Sequence, residues 1–170
     1  DLRTALADYD RALERASESE KPQIYDRRGL AWQATAEPNL ALADFERAIA
    51  LNPGYDEPFL HRAVLQSQAN ESAAALVGLV KCLELNPRNC QAHLLRGAIL
   101  EEAGDMTAAI LIYSRVIKLD SRSAAAFNRR GAAYILLGQY RLAISVLDTA
   151  IRVLPMSSVL RTTRTPTTRP

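Results

Sequence analysis

The side chains of this 170-residue chain that could do chemistry are few, and their spacing argues against most of it. Cys82, Cys90 and His93 are close in sequence, yet no Cys-x-x-Cys pair accompanies them. His61 and His93 are each alone, without the second histidine four residues on and the glutamate of a zinc protease. Cys82 occupies a slot filled elsewhere by Ala48, Val116 and Ala150, which marks it as a core residue. No Gly-x-Ser-x-Gly elbow, phosphate loop or dinucleotide glycine motif occurs, so no catalytic residue, metal site or cofactor is expected and the chain is read as not an enzyme. Asn70-Glu71-Ser72 is a formal glycosylation triplet, but no signal peptide opens the chain to give it a use. What remains is binding chemistry. Arg28, Arg62, Arg96 and Arg130 recur every 34 residues, either as a ladder for anions or as stems packed between helices that reach a carboxylate such as Asp8 or Asp44. A residue fixed by register in every unit serves the stack, and the second reading is preferred.

The elements that carry these residues follow the same clock. Pro53 and Pro87 are one period apart, and Pro155 lies two periods further on with Ser121 in the slot between. Gly29, Ala63, Gly97 and Gly131 form a second series, and Ala41, Ala75, Ala109 and Ala143 a third. Three registers on one spacing define an internal repeat. Within it, Tyr25, Gly29 and Trp32 share one helical face, and Ala41, Phe45, Ala48 and Ile49 share a face of a second helix after the turn at Ala36-Glu37-Pro38-Asn39. The small residues let paired helices approach, while proline ends the second helix and sets up the next. The opening stretch Ala5-Leu6-Ala7-Asp8-Tyr9-Asp10-Arg11-Ala12-Leu13 matches Ala41 to Ile49, so the chain begins on a second helix without its first. The expected organisation is a truncated unit over 1–21, four helix pairs over 22–55, 56–89, 90–123 and 124–157, and a disordered Thr/Arg/Pro tail over 158–170.

This sequence resembles a tetratricopeptide repeat protein. The resemblance rests on Phe127-Asn128-Arg129-Arg130-Gly131-Ala132-Ala133-Tyr134, on Gly138-Gln139-Tyr140, and on Ala143, Ala150 and Pro155. It implies an all-α fold, an α-solenoid in which antiparallel helix pairs form a right-handed superhelix, with first helices lining a concave face where peptides bind. Gln66, Asn70, His93 and Ser121 depart from the pattern, which makes the second and third units the looser ones.

On that geometry, the stripe one step beyond the packed face is the peptide groove: Asp26 and Leu30, Leu60 and Val64, Leu94, Ala98 and Glu101, Asn128 and Ile135, extended by Glu102 and Leu136. An apolar floor with acids at its edges suits an apolar or mildly basic peptide. The carboxylate clamp that the family uses on chaperone tails needs lysines and arginines, and only Asn128 is of a suitable type, Arg27 and Arg129 being one step off. The chain is therefore expected to be a scaffold or adaptor for a protein or peptide, alternatively the regulatory or substrate-recruiting region of a larger enzyme or co-chaperone assembly.

Composition agrees. Hydrophobic content of 48% supports a sizeable core. Setting aside Arg161, Arg164 and Arg169 of the tail leaves 18 basic against 19 acidic residues, too neutral for nucleic acid. No apolar run is long enough to span a membrane, and two irregular cysteines suit a reducing, cytoplasmic setting. Asp1 in place of methionine points to a fragment or a processed chain, and the uncapped ends to self-association or membership of a longer array.

Overall fold

The computed structural model describes residues 2–153, and the expectations for residues 154–157 of the last unit and for the 158–170 tail lie outside them. Among the described residues the chain forms α1 (Leu2–Arg15), α2 (Lys21–Ala34), α3 (Pro38–Leu51), α4 (Glu57–Gln68), α5 (Ser72–Leu85), α6 (Cys90–Glu102), α7 (Met106–Leu119), α8 (Ala124–Leu136) and α9 (Tyr140–Val153), with no strand. The fold is an all-α solenoid of helix pairs, and it divides into two compact units between Ala92 and His93.

The second helices α3 and α7 turn their small and ring-bearing positions inward. In α3 these are Ala41, Phe45 and Ala48; in α7 they are Ala109, Tyr113 and Val116. The glycines opposite make room for the rings. A Cβ on Gly29 would meet Phe45 at 2.5 Å, and one on Gly97 would meet Tyr113 at 2.5 Å, so the ring sits where a methyl group would have been. Where Ala63 replaces glycine, the residue sixteen positions on is Leu79, and both are fully buried.

Two turns recur with the period. Between first and second helices, Ala36, Asn70, Gly104 and Gly138 stand at φ of 60°, 61°, 83° and 70°, the left-handed conformation that reverses the chain. Asn70 is therefore a fitting replacement for glycine, since asparagine tolerates this region better than other residues with a Cβ. After α3, α5 and α7, the side-chain oxygens of Asn52, Asn86 and Asp120 accept from the backbone N–H two residues on, at 3.1, 3.3 and 2.9 Å. This Asx turn holds with or without the following proline, which is why Ser121 can stand in the proline slot.

The arginine column is structural where its contacts are defined. Arg28 donates from Nε and Nη2 to both carboxylate oxygens of Asp44 at 2.7 Å, and from Nη1 to Asp10 at 2.6 Å. Asp44 is the expected partner, whereas Asp8 is held by Arg11 and Asp10 takes its place. These bonds, the pair with Asp44 first, raise the Arg28 pKa. In the second unit, Arg130 donates to Ser114 Oγ at 3.1 Å and lies over the Phe127 ring.

Candidate functional site

A polar cluster in the first unit breaks the repeat. Asp26 sits in the register held elsewhere by Leu60, Leu94 and Asn128, and His61 in that of Arg27, Leu95 and Arg129. Tyr55 takes the slot from which Asn89 and Ser123 cap α6 and α8, bonding to the N–H groups of Ala92 and Ala126. Released from capping, the Tyr55 side chain turns to the acids. Its hydroxyl lies 2.6 Å from Glu57 Oε2 and 3.2 Å from Asp26 Oδ2. His61 Nδ1 lies 2.7 Å from Asp26 Oδ1, and because a carboxylate oxygen only accepts, this nitrogen carries the hydrogen. The imidazole is oriented from the other side by Phe45, whose ring centroid is 5.5 Å away.

Asp26 is fully buried, and burying a carboxylate is costly unless donors reach it. Here His61 of the following repeat does so, and the Tyr55 hydroxyl, at the end of the repeat that holds Asp26, shares its one hydrogen between Glu57 and Asp26. Burial first, then the bond to Glu57 and the charges of Asp26 and Glu57, raise the Tyr55 pKa so that the phenol keeps its proton. The result is a fixed negative region on the wall of a cavity of about 450 Å³ lined by Tyr9, Gln23, Ile24, Arg27, Tyr55 and Glu57. Tyr9 and Ile24 supply apolar surface, Gln23 an amide, and Arg27 an exposed cation with no ion-pair partner among the described residues.

The residues assigned from sequence to the groove are divided between the two units. In the first, Asp26 differs from the expected groove-edge acid by being sealed inside, and Leu60 is also buried. Leu30 packs against the cluster of Ala41, Phe45 and Leu65, and Val64 is half-buried. In the second unit, Leu94, Ala98 and Asn128 are half-buried, while Glu102, Ile135 and Leu136 are exposed. Glu101 is engaged: Tyr113 donates to Oε2 at 2.7 Å and Arg129 lies 3.3 Å from the same oxygen. Sequence reasoning passed over Tyr9, Gln23, Ile24, Tyr55 and Glu57. The signal available was the register itself, since an aromatic stands at Tyr55 where the other units have a capping residue.

Among the described residues, no three His, Cys, Asp or Glu side chains are grouped to hold a metal ion, and no helix is long and apolar enough to cross a membrane.

Residues 91–123 and 124–153 each match the family model described as tetratricopeptide repeat. No curated protein matches the chain in sequence. Among solved structures it is similar to MamA, with 19% identity and a TM-score of 0.80 over 95% of this chain and 92% of that one. It is similar to YrrB, described as a TPR protein with an unusual peptide-binding site, with 25% identity and a TM-score of 0.71 over 95% and 82% of the two chains. The first TPR of Spaghetti (RPAP3), bound to the HSP90 peptide SRMEEVD, is similar at 19% identity and a TM-score of 0.67, covering 71% of this chain and 95% of that one.

Proposed function

We propose that this chain, a tetratricopeptide repeat protein built as a solenoid of helix pairs, is a non-enzymatic interaction scaffold that holds an apolar or mildly basic peptide segment at the Tyr9/Ile24/Arg27/Tyr55/Glu57 cavity. One observation carries the reading: Asp26, Tyr55 and His61 depart from the repeat register together and meet at one place. Residues repeated in every unit serve stacking, whereas residues that break the rule jointly and build a buried polar cluster serve something local. The peptide-binding site named for YrrB and the peptide bound to Spaghetti support a peptide as the ligand class.

The chemistry of the wall sets the preference. Tyr9 and Ile24 accommodate an apolar side chain, and the Glu57 carboxylate beside buried Asp26 attracts a lysine or arginine of the ligand. Arg27 is placed to donate to the ligand's backbone carbonyls. A clamp for an acidic tail is less well served, because Arg129 is already paired with Glu101.

The test is capture from a peptide library by the immobilised chain. Ile24→Glu should abolish enrichment and leave helical circular dichroism unchanged, while Val77→Glu on exposed α5 should bind as before. Equal enrichment by both variants would place the ligand elsewhere.

A further inference from the structure

The helix α9 is apolar on two faces. Ala143, Val146 and Ala150 are buried, yet the larger side chains Tyr140, Ile144 and Ile151 are 64%, 60% and 52% exposed, and Leu147, which lies against Gly131 of α8, is still 37% exposed. The same register positions in α7 are Met106, Ile110, Tyr113 and Ile117, none of them exposed. A helix with small residues inward and large ones outward is made to be covered on its outer side.

We infer that the cover is the α9 of a second copy, packed antiparallel about a two-fold axis. The outward residues are spaced by four, three and four positions, the spacing of a coiled-coil seam. An antiparallel register centred between Ile144 and Leu147 sets Tyr140 opposite Ile151 of the second copy and Ile144 opposite its Leu147. That register brings Arg141 alongside Asp148 of the second copy, and the symmetry makes the pair twice. Arg141 and Asp148 have no ion-pair partner among the described residues, so both charges are available. The opposite end of the array offers no equivalent match: Leu6 of α1 is buried, and Tyr9 lines the cavity. A contact of α9 with itself is closed, which limits assembly to a dimer.

Light scattering of the full chain over about a hundredfold concentration range tests this. A monomer–dimer equilibrium is expected, with Ile144→Glu weakening it by roughly 30-fold or more. Arg141→Glu and Asp148→Arg should each weaken it by about tenfold, and the double variant should restore it, because two repulsions become two attractions. A chain that stays monomeric, with or without protected α9 amides in hydrogen exchange, would overturn the inference; protection would assign the cover to residues 154–170. A dimer that survives Ile144→Glu, or a double variant that fails to recover, would overturn it equally. Peptide capture by the first-unit cavity should be unchanged in these variants, which separates failure of this inference from failure of the peptide reading.

Discussion

A Cβ placed on Gly29 would lie 2.5 Å from Cε1 of Phe45, so the ring occupies the space that any other residue at position 29 would need. Phe45 is fully buried and sits in a cluster with Ala41 and Leu65, which leaves it little room to yield. Gly29→Ala should therefore cost about 1–3 kcal/mol through overpacking, despite the better helix propensity of alanine. Gly97→Ala should behave alike, because Tyr113 is held there by its bond to Glu101. Gly131 is different: its nearest neighbour is Leu147 Cδ2 at 3.3 Å, on a side chain that is partly exposed and able to shift. Gly131→Ala should be neutral or stabilising by up to about 1 kcal/mol. Urea unfolding of the three variants checks the contrast, and equal effects would refute it.

The small-residue series was legible in sequence because helix pairing imposes it in every unit, and the eye finds what repeats. The partner of each glycine was not, because the periodicity of one helix does not say which atom of the next helix fills the gap. The cavity was harder for the opposite reason. Tyr55 and Asp26 differ from their register equivalents, so a search for agreement treats them as noise, although the sequence alone shows that Tyr55 cannot cap as Asn89 and Ser123 do. The Asx turns at Asn52, Asn86 and Asp120 were in view but hidden behind the prolines that follow two of them.

Ala36 holds φ at 60° with a Cβ, in a position where Gly104 and Gly138 carry none. The left-handed conformation costs a residue with a Cβ roughly 1–2 kcal/mol, part of which glycine gives back through its greater entropy when unfolded. Ala36→Gly should raise stability by about 1 kcal/mol, and Gly104→Ala should lower it by a similar amount. Thermal melts of the pair provide the check: a destabilised Ala36→Gly variant would refute the assignment.

Arg62 lacks the partner that Arg28 enjoys. The residue sixteen positions on is Asp44 for Arg28 and Gly78 for Arg62, and Arg62 Nε is buried without a hydrogen-bond acceptor. A Cβ at Gly78 would make ordinary contacts, 3.4 Å to the Phe59 carbonyl oxygen and 3.5 Å to Ala63 Cβ. Gly78→Ala should stabilise by about 0.5–1 kcal/mol through helix propensity. Gly78→Asp should do at least as well despite the poorer propensity of aspartate, because its carboxylate meets the guanidinium. A double-mutant cycle with Arg62→Met should give a coupling of roughly 1–3 kcal/mol, and a coupling near zero would show that the two side chains do not meet.

Alkaline pH should loosen the fold through one buried thiol and two phenols. Burial pushes the Cys82 thiol up to about 11, helped by the negative charges of Asp56 and Glu57. Burial and the bond to Glu101 raise Tyr113 above the ordinary phenol range, as burial and Glu57 raise Tyr55. All three groups hold their protons more tightly folded than unfolded. The stability they contribute is thus complete below the unfolded pKa values, 9.0 for cysteine and 10.0 for tyrosine, and is lost as pH rises through the folded ones. Urea midpoints should be flat from neutral pH to about 9, then fall, with the thiol contributing first and the phenols continuing beyond 11. Cys82→Ala, which places in this slot the residue that Ala48 and Ala150 already supply, should remove the earliest part of the fall and leave the rest. Native Cys82 should also resist iodoacetamide at pH 8 while half-buried Cys90 reacts, since the thiolate is the nucleophile. A midpoint that stays level through the titration range of cysteine, or a Cys82 that is alkylated in the folded chain, would show that the thiol is not sealed in the core.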